Sequence, residues 1–316
     1  MTVRLETTRG ALAHVIAAQQ FDRDRLRQLF ERTDEMEQLR LQGGGQVLPD
    51  KIMATLFYEP STRTRLSFEA AMLRLGGQVI STENARDFSS AVKGETLEDT
   101  VRIVGAYADC IVLRHYEEGA AARAALVSPV PIVNAGDGPG QHPTQALLDL
   151  YTIQAELGRL DQLHVVMVGD LAYGRTVHSL AYLLALFQGL RVTLVAPAQI
   201  RMRQGVVDHL KSHGARVCER DDLLQGVADA DVVYQTRIQK ERLPPSIEET
   251  DDERRRFRIT EEVMAALPQH AIVMHPLPRV GEIDPAVDPD PRSAYFRQAR
   301  NGVAVRMALL QLLLRG

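Results

Sequence analysis

Nine short apolar runs, rich in β-branched residues, alternate along this chain with amphipathic helical stretches. The runs are Lys51–Phe57, Gln78–Ser81, Asp109–Leu113, Pro131–Asn134, His164–Val168, Arg191–Val195, Ala215–Val217, Asp231–Tyr234 and Ala271–Met274. The helical patterns lie near Arg63–Leu75, Thr96–Tyr107, Thr144–Leu157, Arg175–Gln188, Gln199–His213 and Thr260–Leu267. Such alternation indicates parallel sheets joined by crossover helices. Nine strands are many for one sheet of this kind, and they fall into four before residue 135 and five after residue 163. The expected fold is therefore α/β with two domains, each a parallel sheet flanked by helices, and an active site in the crevice between them. The first domain is expected over 1–150 and the second over 151–291. An amphipathic helix over 292–316 is expected to pack back on the first. A length of 316 residues suits two domains of about 150 each.

Composition removes several classes of function. Hydrophobic residues make up 45% of the chain, which excludes intrinsic disorder. With 37 Lys+Arg against 41 Asp+Glu the net charge is −4, so the basic footprint of a nucleic-acid binder is missing. The longest apolar helical stretch, Leu180–Phe187, is too short for a bilayer, which needs about 20 residues, and no membrane association is expected. Cys110 and Cys218 are the only cysteines, too few for a disulfide framework, which points to a reducing, cytoplasmic setting. Residues Met1–Gln20 include Arg4, Glu6, Arg9 and His14 and lack the apolar core of a secretory signal.

Ligands of open parallel sheets bind beyond the carboxyl ends of the strands. Six of the nine expected strand ends are followed by an arginine, a histidine or both: Arg63 and Arg65; Arg114 and His115; His142; Arg175; Arg237; His275 and Arg279. Cations gathered there against a negative overall charge point to anionic ligands. The sharpest segment is Pro60-Ser61-Thr62-Arg63-Thr64-Arg65. Pro60 suits the entry of a helix, whose first N–H groups and positive dipole end face an anion. Ser61, Thr62 and Thr64 add hydroxyls, and Arg63 and Arg65 add guanidinium forks suited to phosphate. Two arginines in a first turn oppose the helix dipole unless an anion offsets them.

Other ligand classes fit less well. No Gly-x-x-x-x-Gly-Lys-Ser/Thr is present, and Gly169-Asp170-Leu171-Ala172-Tyr173-Gly174 carries Leu171 where the dinucleotide fingerprint requires glycine. His209 and His213 are four apart near Cys218, but Leu210 stands where a zinc-protease motif has glutamate, so no metal is expected. Cys110 reads as a core residue.

Phe57-Tyr58-Glu59-Pro60-Ser61-Thr62-Arg63-Thr64-Arg65 resembles the carbamoyl-phosphate signature of the transcarbamoylases. His142-Pro143-Thr144-Gln145 and His275-Pro276-Leu277-Pro278 resemble two further motifs, in family order, so the resemblance spans essentially the whole chain. Arg237-Ile238-Gln239-Lys240-Glu241-Arg242 is similar to the aspartate branch, and the Ser-Met-Gly segment and late cysteine of the ornithine branch are missing. The resemblance implies transfer of the carbamoyl group of carbamoyl phosphate to the α-amine of L-aspartate, an early step of pyrimidine synthesis, without a cofactor. It implies that Ser61, Thr62, Arg63 and Thr64 hold the phosphate and that Arg114 bridges phosphate and carbonyl oxygen. Thr64 and His142 would donate to that oxygen. Gln145 and the backbone of Leu277 and Pro278 would hold the carbamoyl amide. Arg175, Arg237 and Gln239 would bind the aspartate carboxylates.

The segment Ser89–Thr96 resembles a mobile loop lent by a neighbouring subunit, with Ser89 and Lys93 reaching the ligands. Val92 departs from the second basic residue of many relatives, leaving Lys93 as the loop's one cation. A homotrimer with shared sites is implied, and the family also admits larger assemblies with regulatory or other pathway chains. A cis bond at Leu277-Pro278 is a further implied feature.

The charged segment Gln239–Arg258, with Pro244-Pro245, reads as a solvated loop or as a lid over aspartate. Two alternatives remain at this stage. One is a transcarbamoylase for another amine such as ornithine, which the second cation at Arg237 disfavours. The other is a silent paralogue, disfavoured because Arg63, Lys93, Arg114 and His142 are all present.

Overall fold

The computed structural model describes residues 12–83, 94–238 and 256–315. Two compact units divide the chain: Met1–Leu147 with Asn301–Gly316, and Leu148–Arg300.

The first unit is built on β1 (Ile52–Phe57), β2 (Gln78–Glu83), β3 (Cys110–His115) and β4 (Ile132–Asp137), all parallel in the order β2-β1-β3-β4. Its helices include α1 (Arg23–Leu41), α2 (Thr62–Arg74), α3 (Leu97–Val104) and α4 (Ala120–Val127). Strands β3 and β4 are buried almost throughout, which parallel strands covered on both faces require. On one face Ala54, Leu56, Ile111 and Leu113 meet Leu97 and Val101 of α3 and Ala120 and Ala124 of α4. Side-chain caps start several helices: Asp22 accepts from Arg25 N (2.8 Å), and Thr96 accepts from Asp99 N (3.2 Å).

The second unit holds β5 (His164–Val168), β6 (Arg191–Val195), β7 (Arg216–Arg220), β8 (Val232–Gln235) and β9 (Ile272–Met274), again all parallel, in the order β7-β6-β5-β8-β9. Around them lie α6 (Arg175–Leu184), α7 (Gln204–Ser212), α8 (Leu223–Val227) and α9 (Glu261–Ala266). Val166, Val168, Val233 and Val273 pack with Val227, Phe257 and Met264 on one face. Helices α5 (Pro143–Leu157) and α10 (Tyr295–Arg315) each contribute residues to both units. The end of α10 is tied into the first unit, where buried Arg306 lies over the Phe68 ring (4.9 Å) and Arg315 pairs with Asp50 (2.9 Å).

All nine expected strands are present, and the differences from expectation have physical reasons. Helix α1 was not legible because its buried residues, Leu26, Leu29, Phe30, Thr33 and Met36, are diluted by charge. Helix α4 is mostly alanine, which leaves little contrast between faces. The stretch expected as one helix over Gln199–His213 is a 3₁₀ turn, Ala198–Ile200, followed by α7. Strand β7 runs on through Cys218, Glu219 and Arg220 because it is a sheet edge, where exposed polar side chains are tolerated.

A buried polar chain stitches α5, β8 and α10 together within the second unit. Tyr234 Oη donates to Asp149 (2.6 Å), and Gln298 Nε2 donates to the same carboxyl group (2.6 Å). All three residues are at most 1% exposed. Burial, then the Asp149 charge, pushes the Tyr234 hydroxyl well above its ordinary pKa, so it is a donor at any physiological pH. Tyr234→Phe removes one of these donors and is expected to cost about 1–3 kcal/mol, read as a lower urea midpoint at unchanged m-value.

Candidate active site

Strand order decides where each unit can hold a ligand. In the first sheet β1 leads outward to β2 while β3 leads the other way to β4, so the order reverses between β1 and β3. In the second sheet it reverses between β5 and β8. The carboxyl ends flanking such a reversal form a crevice, because the chains leave it in opposite directions. The expected site residues stand at these ends.

In the first unit, Ser61–Thr64 follow β1 and Arg114 lies near the end of β3. The two strands are in register with Phe57 opposite Arg114, and Tyr58 N donates to Arg114 O (2.8 Å). Ser61 is the N-cap of α2, yet its hydroxyl makes no cap bond. The side chains of Ser61, Thr62 and Arg63 have no hydrogen-bond or ion-pair partner among the described residues. Three side-chain donors therefore remain beside the open N–H groups of a helix start. Partial burial pulls the Arg63 guanidinium below its ordinary pKa, and an arginine stays charged in proteins.

The second arginine of the motif is used differently. Arg65 Nη1 reaches Glu69 (3.3 Å) and Ser81 (3.1 Å), and Glu69 also accepts from Thr55 (3.0 Å). Its expected place on the phosphate gives way to a structural one, because α2 turns it back toward β1 and β2. Arg114, by contrast, is braced: Nη2 pairs with Glu59 (3.0 Å) and Nη1 donates to Ala135 O (3.2 Å). Its neighbour His115 is held below its usual pKa chiefly by burial, and its Nδ1 accepts from Glu117 N (3.0 Å), so it shapes the loop.

His142 follows β4 and opens α5, its carbonyl accepting from Gln145 N (3.0 Å) and Ala146 N (3.2 Å). It is 4% exposed, with Thr144 Oγ1 3.4 Å from Nδ1. The loop before it is tied to β4 through Asp137, which accepts from Gln141 N (2.9 Å). Ser61–Thr64, Arg114, His142 and Gln145 thus share one edge of the first sheet.

In the second unit Arg175 starts α6 after β5, Arg237 follows β8, and Leu277 and Pro278 follow β9. These are three adjacent strands. The loops approach closely: Thr236 N donates to Val168 O (2.8 Å), and a Cβ at Gly169 would lie 2.3 Å from Thr236 O. Gly169 also has φ +105°. Glycine is required there by crowding between strands, a sufficient reason for the residue that opens the fingerprint-like segment. Arg175 is buried and Arg237 half-buried.

The Leu277 backbone is fixed by residues that motif reasoning passed over. Leu277 has φ +55°, and the Leu277-Pro278 bond is cis. Leu277 N donates to His275 Nδ1 (2.7 Å), while His275 Nε2 meets Glu282 (2.7 Å) and His275 N donates to Gln298 (2.9 Å). Since Nδ1 accepts, the ring hydrogen is on Nε2 and His275 is neutral. Burial opposes ionisation of Glu282, but the His275 hydrogen bond brings its carboxyl below the usual range. Gln298 carries the buried Asp149–Tyr234 chain to this loop. Only the His275 position gave a sequence signal; Glu282, in the same loop, and Gln298, on α10, are ordinary in type. Ser89, Lys93, Gln239 and most of the charged segment after it lie outside the described residues.

Comparison with known proteins matches both units to one family. Residues 13–155 match the family model for the aspartate/ornithine carbamoyltransferase carbamoyl-P binding domain, and 161–313 that for the Asp/Orn binding domain. The chain is 57% identical over 311 residues to a chloroplastic aspartate carbamoyltransferase of Oryza sativa subsp. japonica, covering 96% of this chain and 86% of the relative. It is 51% identical to the aspartate carbamoyltransferase catalytic subunit of Methanopyrus kandleri, covering 96% and 97%. Among solved structures, aspartate transcarbamoylase of Trypanosoma cruzi in complex with N-(phosphonacetyl)-L-aspartic acid superposes with a TM-score of 0.91 at 39% identity, covering 99% and 97%. The catalytic subunit of the M. jannaschii enzyme gives 0.89 at 46%, covering 96% and 98%.

Behind Arg175 on α6, His178 gives the second unit a pH dependence. Its Nε2 donates to Leu171 O (2.8 Å), and burial lowers its pKa to about 4 from 6.5. Between those values the unfolded chain takes up a proton that the folded chain does not. This contribution to stability is therefore full above pH 6.5 and is lost as pH falls toward 4. Going from pH 7.5 to 5 should remove roughly 2 kcal/mol of unfolding free energy from this group. His178→Gln, which can keep a donor to Leu171 O, is expected to flatten urea midpoints over that range.

Proposed function

The chain belongs to the aspartate/ornithine carbamoyltransferase family, and we propose that the residues at its two sheet edges carry out the aspartate reaction. The carbamoyl group of carbamoyl phosphate passes to the α-amine of L-aspartate, giving N-carbamoyl-L-aspartate and phosphate. The observation that carries this reading is the start of α2, where Ser61, Thr62 and Arg63 offer unengaged side chains to an anion at the reversal between β1 and β3. A relative's structure with carbamoyl phosphate and aspartate bound supports the substrate pair.

In this reading Ser61, Thr62, Arg63 and Thr64 hold the phosphate. Arg114, fixed by Glu59 and Ala135 O, bridges phosphate and carbonyl oxygen. Thr64 and His142 donate to that oxygen, His142 as a neutral imidazole through Nε2, with Nδ1 accepting from the Thr144 hydroxyl in this tautomer. Gln145 and the backbone of Leu277 and Pro278 position the carbamoyl amide. Arg175, Arg237 and Gln239 bind the aspartate carboxylates. As the amine attacks, negative charge grows on the carbonyl oxygen, and each preplaced donor there contributes about 2.7–4 kcal/mol of barrier reduction. Holding two anions in an attacking pose contributes about 7–11 kcal/mol more. The amine proton passes to the departing phosphate, so no covalent enzyme intermediate is needed.

Ser89 and Lys93 belong to a loop that a neighbouring chain of a homotrimer lends to the site. Exposed Leu66 and Leu73 on α2 and Ile80 on edge strand β2 support association through this unit. The free thiols of Cys110 and Cys218 fit a reducing compartment such as the cytoplasm.

A carbamoylation assay with aspartate and ornithine in parallel should show turnover only with aspartate; turnover only with ornithine would overturn the substrate assignment. Arg63→Ala should lower kcat/KM at least 100-fold. Mixing it with Lys93→Ala chains should recover activity in mixed trimers, and co-assembled but inactive mixtures would exclude shared sites. His275→Ala unties Leu277 and should lower kcat/KM about 10- to 100-fold, the loss of roughly 1–3 kcal/mol. His275→Asn, whose side-chain oxygen can replace Nδ1, should restore most of it. Equal losses would show that His275 does not act through Leu277.

A further inference from the structure

Along edge strand β7 of the second sheet, from Arg216 at its amino end to Arg220 at its carboxyl end, lies a cleft of about 280 Å³. His164, Arg191 and Arg216 begin β5, β6 and β7, and the parallel register sets them side by side. Thr193 and Cys218 form the next row, so these side chains share one face of the sheet. Helix α8 seats on that face at Gly226, where a Cβ would lie 3.1 Å from Val195 and 3.6 Å from Thr193. The seat leaves the row of basic residues open beside it.

The cleft holds more positive than negative charge. Asp229 pairs with Arg191 (2.6 Å) and with His164 Nδ1 (3.0 Å), and His164 Nε2 meets Thr193 Oγ1 (2.8 Å). Glu219, on the other face, pairs with Arg201 (3.0 Å). The side chains of Arg216 and Arg220 have no hydrogen bond or ion pair among the described residues. Arg191 and Arg216 are directly opposite each other, an arrangement of like charges that Asp229 offsets at Arg191 alone. Arg216 and Arg220 are four residues apart on one strand, about 13 Å along it, a span that two linked phosphates bridge with less leaning of the side chains than one. The volume is at the low end for small-molecule sites, which excludes large ligands.

We propose that this cleft binds the diphosphate group of a small molecule, with Arg191 and Arg216 on one phosphate and Arg220 on the other. Guanidinium forks match phosphate oxygens in pairs. The cleft lies on edge strand β7, separated by β6 from β5, β8 and β9, whose loops carry the residues assigned to substrate, so it offers a place for a metabolite to act without competing for substrate.

The test is calorimetric titration of the intact protein, saturated with N-(phosphonacetyl)-L-aspartate so that the substrate site is filled, at low ionic strength where exposed charges are least screened. Inorganic pyrophosphate and ADP are the two probes. The parent should bind with one site per chain, and Arg216→Gln/Arg220→Gln should weaken binding at least tenfold at unchanged carbamoylation rate and melting temperature. Tighter ADP binding would mean that a nucleoside is also recognised; equal affinity would mean that diphosphate alone is the ligand. Cys218, exposed in the cleft, supplies an independent readout, since Cys110 is buried. Pyrophosphate should slow its reaction with dithiobis(nitrobenzoate). No binding to the parent, binding unchanged in the double variant, or a thiol rate indifferent to pyrophosphate would each overturn the proposal.

Discussion

Uniform strand direction is the constraint on which the rest depends. Every pairing in both sheets is parallel, so within each unit every strand delivers its following loop to the same edge. Residues as far apart in sequence as Thr62 and His142, or Arg175 and Leu277, meet on that edge because of this rule alone. The reversals between β1 and β3 and between β5 and β8 then choose which loops can enclose a ligand.

Within that frame, the charged residues divide into those engaged by the protein and those left for a ligand. Arg65 and Arg63 are two positions apart on α2, yet one closes a network with Glu69 and Ser81 while the other makes no such contact. Arg114 belongs to a third kind: Glu59 restrains it while it still faces the site edge. A largely buried ion pair returns in desolvation much of what its attraction gains, so it is weak evidence for stability. The value of the Glu59 contact is therefore better sought in the precision with which Arg114 is aimed. The same holds for Glu282 and Gln298, which touch no expected ligand but hold His275 and, through it, Leu277.

The fold was largely legible because buried parallel strands are continuous apolar runs, and β6 matches its expected span residue for residue. Helices α1 and α4 were not, since charge and alanine respectively blur their apolar faces. The candidate site was legible where one segment carries several functional types, as at Ser61–Thr64. It was not legible where function depends on partners that no motif links to the site residue. Glu59, Glu282 and Gln298 are unremarkable until the fold supplies their neighbours, and nothing in the pattern around Arg65 says that Glu69 will claim it. The row of Arg191, Arg216 and Arg220 was hidden for the same reason, being spread over two strands whose register no periodicity reveals.

The approach of Gly169 to Thr236 reaches beyond this chain. Wherever one strand's turn must slip beneath the carbonyl of its neighbour, selection will keep the smallest residue at that step, whatever the protein binds. Motif scans for nucleotide cofactors will therefore return folds of this kind as false positives. What separates the two cases is the atom the glycine makes room for: here it is the protein's own oxygen, whereas in a genuine cofactor loop it is an oxygen of the cofactor.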